Sequence, residues 1–364
     1  MAESEKILLV QTSFLGDLIL TTPLLAEIRR RFPRALISVL CRRELRDVLA
    51  GDPEIHEVMT YDKRGPRGGW TGLWRMAQEL RARGFDMALS VHKSLRTALL
   101  LFLAGIPLRV GFRQSAGWFL YHRRPRRAAA RHDVERSLSL LSAVEIDPRT
   151  TKPALRVEVS AQVRADVERI FRACGIRGDG IIFGVNPGSV WATKRWTPEG
   201  YAALIGRLRE SYGGEVLLFG GPDDREVVER ILDLSNHGGT SLVGKIGLRE
   251  LAGAIERCRV FITNDSGPMH VAVARGVPTA AIFCATTREL GFYPYSSNAV
   301  VIEKALSCRP CAPHGGLRCP LGTEDCMRLI SAADVMRGVE LLLNRDRRRD
   351  AGGVDSCFPL TLGV

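Results

Sequence analysis

Three short stretches of the chain place polar side chains directly after an apolar run, where they could do chemistry. They are QTSFLGDLILTTP, which contains Asp17, NPGSVWATKRW, which contains Lys194, and NDSGPMH, which contains Asp265. A carboxylate can accept a proton from a hydroxyl nucleophile, and a lysine can neutralise a phosphate. Together these side chains predict a site that handles a hydroxyl group and a phosphorylated ligand.

The stretch NDSGPMH predicts the start of a helix. Pro268 suits the first helical turn, because its missing N–H is not needed there, and Ser266 is a preferred N-cap residue. One interpretation is that these residues only cap the helix. The other is that the backbone amides of Ser266 and Gly267, together with the helix dipole, hold a phosphate that His270 also faces.

The stretch NPGSVWATKRW follows another apolar run. Asn186, Gly188 and Ser189 predict a tight polar turn, and Lys194 provides a mobile cation beside it. Neither this stretch nor NDSGPMH matches a Walker loop or the G-x-G-x-x-G fingerprint, which weakens the nucleoside triphosphatase and dehydrogenase interpretations. The two patterns together favour a phosphate site more strongly than either does alone.

Asp17 stands at the start of a predicted helix, after Gly16, which permits a backbone turn that other residues resist. Aspartate is a common N-cap residue, so a purely structural role is one interpretation. In the other interpretation, Asp17 is a carboxylate on the floor of a cleft and removes a proton from a hydroxyl nucleophile.

These stretches lie in two successive series of alternating strands and helices. The first series begins with the buried strand KILLVQTS, and the second begins with GIIFGVNPGS, after a change of rhythm at about residues 147–180. Such alternation predicts an α/β protein with doubly wound parallel sheets, which bind ligands at the carboxyl ends of their strands. We therefore expect two domains that face a central cleft. The expected segments are a Rossmann-like domain over 1–160, a second over 161–346, and a poorly ordered tail over 347–364.

The 364 residues carry a formal charge of +12, and most of this excess lies in the first half of the chain. Residues 1–150 contain 25 lysines and arginines against 16 aspartates and glutamates. Such a half suits nucleic acid, an anionic membrane surface or an acidic substrate. We find no aromatic stacking positions or recognition helix near the arginine-rich stretches, so the sequence predicts no nucleic-acid partner.

Neither the N-terminus nor the longest apolar stretch predicts insertion into a membrane. The N-terminus, MAESEKILLV, has no signal-peptide layout, and the stretch from Thr97 to Gly105 is far short of the roughly 20 residues that cross a bilayer. We therefore expect a cytoplasmic protein. Nine cysteines in such a chain favour reduced thiols or a metal site over a disulfide framework.

The three stretches also carry a family resemblance. SFLGDLILTTPLLAEIRRRFP, NPGSVWATKRW and FITNDSGPMHVAVARGVPTAAIF resemble, in order and spacing over residues 5–345, the heptosyltransferases of lipopolysaccharide core synthesis (glycosyltransferase family 9). The string ATKRW and a later cysteine cluster are most similar to heptosyltransferases II, which add the second heptose of the inner core. The resemblance implies a GT-B architecture, with an N-terminal domain for the acceptor and a C-terminal domain for ADP-L-glycero-D-manno-heptose.

The resemblance also implies roles for individual residues. Asp17 matches the proposed catalytic base of the family, which would deprotonate the acceptor hydroxyl while the anomeric carbon inverts. Lys194 matches the lysine that binds the donor diphosphate and would stabilise the leaving ADP together with the helix amides. The scheme requires no cofactor and no metal ion. The expected donor-binding residues are Asn186, Gly188, Thr193, Lys194, Asp265, Ser266, Gly267 and His270.

The implied acceptor is lipid-anchored and carries sugar-acid carboxylates and phosphates (Kdo and heptose on lipid A), which gives the basic first half a partner. Arginine binds both groups well. The same surface would let the protein make transient contact with the anionic inner face of the cytoplasmic membrane, as a peripheral protein. The candidates for acceptor contact are Lys93, Arg96, Arg113, Arg123 and Arg124.

Two further features fit this resemblance without being decided by it. Asp223, Asp224 and Glu226 are candidates for hydrogen bonds to the ribose of ADP, although acidic residues after strands also cap helices. Four thiols with the spacing C-x2-C-x7-C-x6-C, near His314, could bind zinc, but the spacing departs from paired C-x2-C patterns. We therefore favour a structural, redox-sensitive loop. The four thiols are Cys308, Cys311, Cys319 and Cys326.

Several alternatives are open at this point. The chain could be a heptosyltransferase I, or a family member with another acceptor or donor sugar. It could also be a GT-B epimerase, which should show additional acid and base carboxylates in the second domain, and none is clearly marked. A catalytically silent protein that binds a nucleotide sugar belongs to a third class.

Overall fold

The computed structural model describes residues 6–62, 68–129, 131–151, 153–178, 180–349 and 359–363. The chain divides into two compact units, Met1–Glu158 and Val159–Val364, and each is built on its own parallel sheet. Within the described ranges, no helix is both long enough and apolar enough to cross a membrane.

The first unit contains a five-stranded sheet in which all strand pairs are parallel. The strand order reverses between β1 and β4, which makes their carboxyl ends the switch point where doubly wound sheets bind ligands. The order across the sheet is β3-β2-β1-β4-β5. The strands are β1 (Lys6–Val10), β2 (Leu36–Cys41), β3 (Glu57–Thr60), β4 (Met87–Ser90) and β5 (Leu108–Gly111).

The helices of the first unit cover this sheet. The stretch LILTTPLLAEIRRRF is not one continuous helix: the structure has α1 and then α2, because Pro23 suits the first turn of a helix and not its interior. The apolar faces of α3 and α4 pack in one cluster with Leu8 and Val10 of β1. The helices are α1 (Leu15–Ile19), α2 (Thr22–Arg31), α3 (Gly69–Arg83), α4 (Leu95–Leu103) and α5 (Asp133–Leu138).

The second unit contains a seven-stranded parallel sheet with the order β12-β11-β10-β9-β6-β7-β8. Here the order reverses between β6 and β9, so the switch point lies at the carboxyl ends of these two central strands. The strands are β6 (Ile182–Asn186), β7 (Glu215–Leu218), β8 (Thr240–Ser241), β9 (Val260–Asn264), β10 (Thr279–Phe283), β11 (Ala299–Glu303) and β12 (Leu360–Gly363).

Strand β12 departs from the poorly ordered tail that the sequence predicted over residues 347–364. Its residues pair in parallel with β11, from Leu360 opposite Val300 to Gly363 opposite Glu303. An edge strand forms by hydrogen bonding to the free backbone groups of the neighbouring strand. The local amino-acid composition does not reveal whether such a neighbour is present. Residues 350–358 lie outside the described part of the chain.

The helices of the second unit follow ordinary capping rules. For example, α7 begins at Pro198, where the Thr197 hydroxyl accepts a hydrogen bond from the Gly200 N–H (3.1 Å), and it ends at Gly213 in the left-handed conformation. The helices are α6 (Ala161–Ala173), α7 (Pro198–Tyr212), α8 (Arg225–Leu234), α9 (Leu248–Glu256), α10 (Gly267–Ala274), α11 (Asp325–Arg328) and α12 (Ala332–Arg349).

Candidate functional site

Asp17 lies at the switch point of the first sheet, in the first turn of α1, which follows β1. The Phe14 N–H donates a hydrogen bond to Oδ2 of Asp17 (3.1 Å), and the Thr21 hydroxyl donates to the Asp17 carbonyl oxygen (2.7 Å). Asp17 is the third residue of α1 and accepts from the backbone of Phe14, which occupies the N-cap position, so Asp17 supports the start of the helix without being its N-cap residue. One hydrogen bond to Oδ2 leaves the carboxylate with further acceptor sites.

Burial raises the pKa of Asp17 to about 6, and the nearby carboxylate of Asp133 acts in the same direction. The Phe14 N–H and the guanidinium of Arg127 oppose this rise. A carboxyl group with a pKa near neutrality is well matched to general-base chemistry.

Sequence reasoning missed the charged cluster behind Asp17. Asp133 is buried and forms ion pairs with Arg127 and with Arg136, the second at 3.6 Å. Burial raises the pKa of Asp133, whereas the two guanidinium groups lower it. Asp133 lies 116 positions after Asp17 in the chain, and no local pattern in the sequence links them.

A cavity of about 430 Å³ lies at the carboxyl edge of the first sheet. Its walls include Thr12, Ser13 and Phe14, which precede Asp17, and also His92 and Ser94, which follow β4. The cavity therefore lies beside the carboxyl ends of β1 and β4, and its lining residues do not include Asp17 itself.

The structure distinguishes among the five basic residues that the sequence proposed for acceptor contact. Arg96 donates to the Tyr61 hydroxyl (2.8 Å) and to the Gly69 carbonyl, and Arg123 donates to the Ala143 carbonyl, so both hold the protein's own backbone or side chains. The other three residues are exposed; they are Lys93, Arg113 and Arg124.

From the sequence we expected no aromatic stacking position near the arginine-rich stretches, and this interpretation was wrong. The guanidinium of Arg124 lies 5.2 Å from the ring centre of the exposed Trp118. An aromatic side chain therefore does accompany this arginine-rich stretch.

In the second unit, Asn186 and Ser266 lie at the ends of neighbouring strands. Asn186 ends β6, and its Nδ2 group donates to the Gly188 carbonyl, the Thr263 hydroxyl and the Ser266 hydroxyl, each at 3.2 Å. One buried amide thus joins the turn after β6 to the turn after β9. The two stretches NPGS and NDSG, which the sequence treated separately, form one edge of the switch point.

Lys194 and Asp265 form an ion pair at this edge, with 2.6 Å between Nζ and Oδ2. The Thr286 hydroxyl donates to the same Oδ2 atom (2.7 Å), and the side chains of Asp265 and Thr286 are buried. The sequence predicted Lys194 and Asp265 but missed Thr286, which follows β10 between the apolar Phe283–Ala285 and the polar Thr287–Glu289.

The N-terminus of α10 lies beside this ion pair. Ser266 occupies the N-cap position as predicted, but its hydroxyl makes no capping hydrogen bond to the helix. Pro268, which has no N–H, follows Gly267, so the first amides at this terminus belong to Ser266 and Gly267. Neither N–H group has a carbonyl one turn earlier in the helix to which it could donate, so the helix terminus can hold an anion.

His270 lies in the first turn of α10 and is buried, and its Nδ1 atom has no hydrogen-bond partner among the residues that the structure describes. Burial, together with the nearby charge of Lys194, lowers the pKa of His270 to about 3. The imidazole is therefore neutral at physiological pH. An unsatisfied buried polar atom is costly, and a ligand hydrogen bond would remove that cost.

Thr193 holds the turn that carries Lys194. It lies in a short 3-10 turn, where its hydroxyl accepts from the Gly316 N–H (2.8 Å) and donates to the Gly316 carbonyl (3.1 Å). A side chain added at Gly315 would reach Lys194 Cγ at 3.1 Å, so the loop packs on the stem of the lysine. We expected the Thr193 hydroxyl to bind the donor, but in the structure it forms hydrogen bonds with Gly316 of the protein itself.

Arg309 anchors the same loop and was not anticipated from the sequence. Its guanidinium donates to the carbonyl of Phe283 (2.9 Å), to the carbonyl of Thr286 and to Glu303 Oε2 (2.8 Å). It therefore fixes the backbone of Thr286, whose hydroxyl in turn holds Asp265.

Gly188 is required by the carboxylate of Asp224, since a Cβ atom at Gly188 would lie 2.3 Å from Asp224 Oδ2. Asp224 also accepts a hydrogen bond from the Gly221 N–H (2.9 Å), and burial raises its pKa. The other two acidic residues proposed for the ribose, Asp223 and Glu226, are exposed. Of the three, Asp224 is the one that the structure places against the NPGS turn.

The four clustered cysteines occupy different environments. Cys326 belongs to the hydrophobic core of the second unit, and burial raises its pKa to about 11. Cys308 is exposed, whereas Cys311 and Cys319 are half-buried. Within the part of the chain that the structure describes, no group of three or more histidine, cysteine, aspartate or glutamate side chains is arranged to hold a metal ion.

Comparison with known proteins places this geometry in a family. Residues 73–316 match the sequence profile of glycosyltransferase family 9 (heptosyltransferase). The chain belongs to this family. A family 9 chain is a glycosyltransferase, and the predicted family is thereby confirmed; the matched range contains the second and third motifs, and the motif with Asp17 precedes it.

Individual relatives agree with this membership. The lipooligosaccharide heptosyltransferase 2 of Haemophilus influenzae is 26% identical over 308 residues, which are 82% of this chain and 88% of that protein. The structure of a family 9 glycosyltransferase from Veillonella parvula matches with a TM-score of 0.85 and 28% identity, covering 95% of this chain and 99% of that one.

A third relative, the Escherichia coli heptosyltransferase WaaC solved with ADP-2-deoxy-2-fluoro heptose, matches with a TM-score of 0.70 and 19% identity, covering 92% of this chain and 99% of that one. These structural matches confirm the α/β fold of the GT-B class for this heptosyltransferase.

Proposed function

We propose that this heptosyltransferase moves L-glycero-D-manno-heptose from ADP-heptose to the heptose of the lipopolysaccharide inner core, with inversion at the anomeric carbon. The observation that carries the proposal is the convergence of Lys194, Asp265 and His270 at the N-terminus of α10. A fixed cation, helix amides and an unsatisfied imidazole nitrogen suit the diphosphate of a nucleotide sugar.

The donor assignment has support from outside the chain as well. WaaC, which shares the fold, was solved with a fluorinated ADP-heptose. Within this chain, Asn186 joins the two turns that would face the diphosphate, and Asp224 lies next to Gly188 as the candidate for the ribose hydroxyls. Thr193 would act indirectly, by holding the turn of Lys194.

The leaving group is stabilised where its charge develops. As the bond between the anomeric carbon and the diphosphate oxygen breaks, the electron pair leaves with ADP. Lys194 and the amides of Ser266 and Gly267 would stabilise that charge without reorganising, because Asp265 already holds the lysine in place. His270, being neutral, would donate a hydrogen bond and add no charge.

Asp17 supplies the base in this proposal. The acceptor hydroxyl oxygen forms the new bond to the anomeric carbon, from the side opposite ADP, and its proton passes to the Asp17 carboxylate. With a pKa of about 6, the carboxyl group is ionised at neutral pH yet basic enough to accept a proton. The cavity lined by Thr12, Ser13 and Phe14 is the proposed approach for the acceptor in the first unit.

The acceptor assignment rests on the motif ATKRW, on the cysteine cluster and on the similarity to heptosyltransferase 2 of Haemophilus influenzae. The exposed cations Lys93, Arg113 and Arg124 suit an acceptor with carboxylates and phosphates. A heptosyltransferase I activity, or another acceptor or donor sugar within the family, is the alternative.

One assay separates these possibilities. Purified protein is incubated with ADP-heptose and with inner-core acceptors that carry either no heptose or one heptose, and the products are weighed by mass spectrometry. We expect the mass of one heptose to be added to the acceptor that already carries one. Transfer only to the acceptor without heptose would refute the acceptor assignment. Transfer from another nucleotide sugar, with none from ADP-heptose, would refute the donor assignment.

A further inference from the structure

The exposed aromatic side chains of the described residues all lie in the first unit. The large hydrophobic side chains that are exposed in the second unit are aliphatic. In the first unit, five of the six exposed aromatics fall between residues 70 and 119. Trp70 is 76% exposed and Trp74 is 53% exposed, and large apolar side chains that are exposed as a group mark an interaction site. The six residues are Phe14, Trp70, Trp74, Phe102, Trp118 and Phe119.

The five exposed aromatic residues between positions 70 and 119 lie on elements that are neighbours in the fold. Trp70 and Trp74 are one helical turn apart on the exposed side of α3, and Leu95 and Phe102 lie two turns apart on the exposed side of α4. The buried sides of α3 and α4 share one hydrophobic cluster with Tyr121, which follows the short helical turn Trp118–Leu120.

Close contacts fix this arrangement. Arg96 at the start of α4 donates to the carbonyl oxygen of Gly69 at the start of α3, and a Cβ atom at Gly117 would lie 3.2 Å from Leu95 Cδ1. The three elements therefore lie next to one another, and we call the exposed apolar residues on their outer sides the aromatic face. It consists of Trp70, Trp74, Leu95, Phe102, Trp118 and Phe119.

The segment that carries the aromatic face has an excess of positive charge, of which Arg83, Arg96 and Arg127 are paired within the protein. Between residues 68 and 129 the sequence contains eleven lysines and arginines against two acidic residues, Glu79 and Asp86. Two of these arginines lie over rings of the face itself: Arg124 over Trp118 at 5.2 Å, and Arg109 over Phe102 at 5.4 Å. Tryptophan with adjacent arginine is the combination that proteins place at the boundary between lipid headgroups and acyl chains.

We propose that the aromatic face docks on an anionic lipid bilayer, with its rings at the headgroup boundary and the exposed guanidinium of Arg124 on a lipid phosphate. A second copy of the chain fits less well, because a twofold contact would bring the same cationic surface onto itself. A nucleic acid also fits less well, because stacking on bases does not use the aliphatic Leu95 or the outward faces of two packed helices. Docking on a bilayer would bring the enzyme to a lipid-anchored acceptor, and this role of the aromatic face rests on the proposed function.

Vesicle binding tests the inference without any acceptor. Wild-type protein and a variant with Trp70→Ser, Trp74→Ser and Trp118→Ser are sedimented with vesicles of phosphatidylcholine, with or without phosphatidylglycerol. A control variant carries Leu234→Ser and Leu329→Ser, which remove exposed leucines of the second unit. We expect the wild type and the control to bind the anionic vesicles, and the tryptophan variant to bind them roughly tenfold or more weakly. Quenching of tryptophan fluorescence by brominated lipid should accompany binding of the wild type.

A transfer assay then separates this inference from the proposed function. Transfer to an acceptor embedded in vesicles should fall in the tryptophan variant, while transfer to a deacylated, water-soluble acceptor should be unchanged. If the wild type glycosylates neither acceptor yet binds vesicles through the tryptophans, the proposed function fails and the docking face stands. Unchanged circular dichroism of the variant excludes unfolding as the cause.

Three results would overturn the inference. The first is equal binding of vesicles by the tryptophan variant and the wild type. The second is a wild type that sediments as a dimer and a tryptophan variant that sediments as a monomer, with equal binding of vesicles by both. That result would assign the face to self-association. The third is binding of a single-stranded DNA oligonucleotide that is lost when the tryptophans are replaced, with vesicle binding unchanged, which would assign the face to nucleic acid.

Discussion

Nζ of Lys194 lies 2.6 Å from Oδ2 of Asp265, and both side chains are largely shielded from solvent, with exposed fractions of 13% and 6%. A buried ion pair repays the cost of desolvation only when its geometry and hydrogen bonds are good, and here Thr286 supplies one of those hydrogen bonds. The pair holds a cation at the N-terminus of α10, where the proposed mechanism places the leaving diphosphate.

Replacing Lys194 by methionine should lower kcat/KM for ADP-heptose by about 10²- to 10³-fold, because the cation that stabilises the leaving ADP is lost. Steady-state kinetics at saturating acceptor measure this. Lys304→Met is the matched control, since Lys304 also pairs with a shielded aspartate, Asp334, at 3.6 Å. An equal loss in the control would show that Lys194 matters for folding and not for transfer.

Thr286→Val should weaken ADP-heptose binding by about five- to tenfold, because Asp265 loses a hydrogen bond and Lys194 loses its fixed partner. Isothermal titration measures the affinity. The control is Thr279→Val, at the opposite end of β10, where a buried hydroxyl donates to the Val277 carbonyl (2.8 Å). If the Thr286→Val variant binds ADP-heptose with the affinity of the wild type, Thr286 does not contribute to the donor site.

The rate of transfer should depend on pH through Asp17. Below about pH 6 the carboxyl group is protonated and cannot accept a proton, so kcat/KM should rise with pH and level off above that value. Asp133→Asn removes a negative charge that raises the pKa of Asp17 and leaves Arg127, which lowers it. The acidic limb of the pH profile should therefore move to lower pH.

The matched control for this profile is Asp52→Asn, which removes another buried aspartate that pairs with an arginine, Arg156, at 3.0 Å. Its acidic limb should coincide with that of the wild type. A limb that stays in place in Asp133→Asn, or moves to higher pH, would contradict the electrostatic role of Asp133.

Removal of metal ions should leave transfer unchanged, because Lys194 and the helix amides carry out the neutralisation of ADP in the proposed mechanism. The protein is dialysed against a chelator, its metal content is measured by mass spectrometry, and transfer is assayed before and after. Zinc or iron at one equivalent per chain, with activity that disappears on chelation and returns when the ion is restored, would instead assign a metal to the cysteine loop.

The sequence predicted the parts of the fold and site that depend on local pattern. Alternating apolar strands and amphipathic helices indicated parallel doubly wound sheets, and the polar residues that follow β1, β6 and β9 were identified as site residues because ligands bind at strand carboxyl ends. Asp17, Asn186 and Asp265 do lie at the switch points of their sheets.

Contacts between distant positions were not predictable in this way. Thr286 reaches Asp265 from the next strand, Arg309 reaches Thr286 from a later loop, and Asp133 approaches Asp17 from α5. Each depends on how elements pack, and a threonine or arginine in a loop has no periodic signal. Strand β12 was not predicted for a similar reason, because its four residues form a strand by pairing with the backbone of β11.

Asp17→Asn tests the central claim most directly, because asparagine keeps an oxygen that can accept the Phe14 N–H but cannot take a proton from the acceptor. Transfer and ADP-heptose binding are measured on the same preparation, by mass spectrometry of the products and by isothermal titration. We predict that kcat falls by about 10²- to 10⁴-fold while the Kd for ADP-heptose stays the same. Turnover at the wild-type rate would contradict the role of Asp17 as the base.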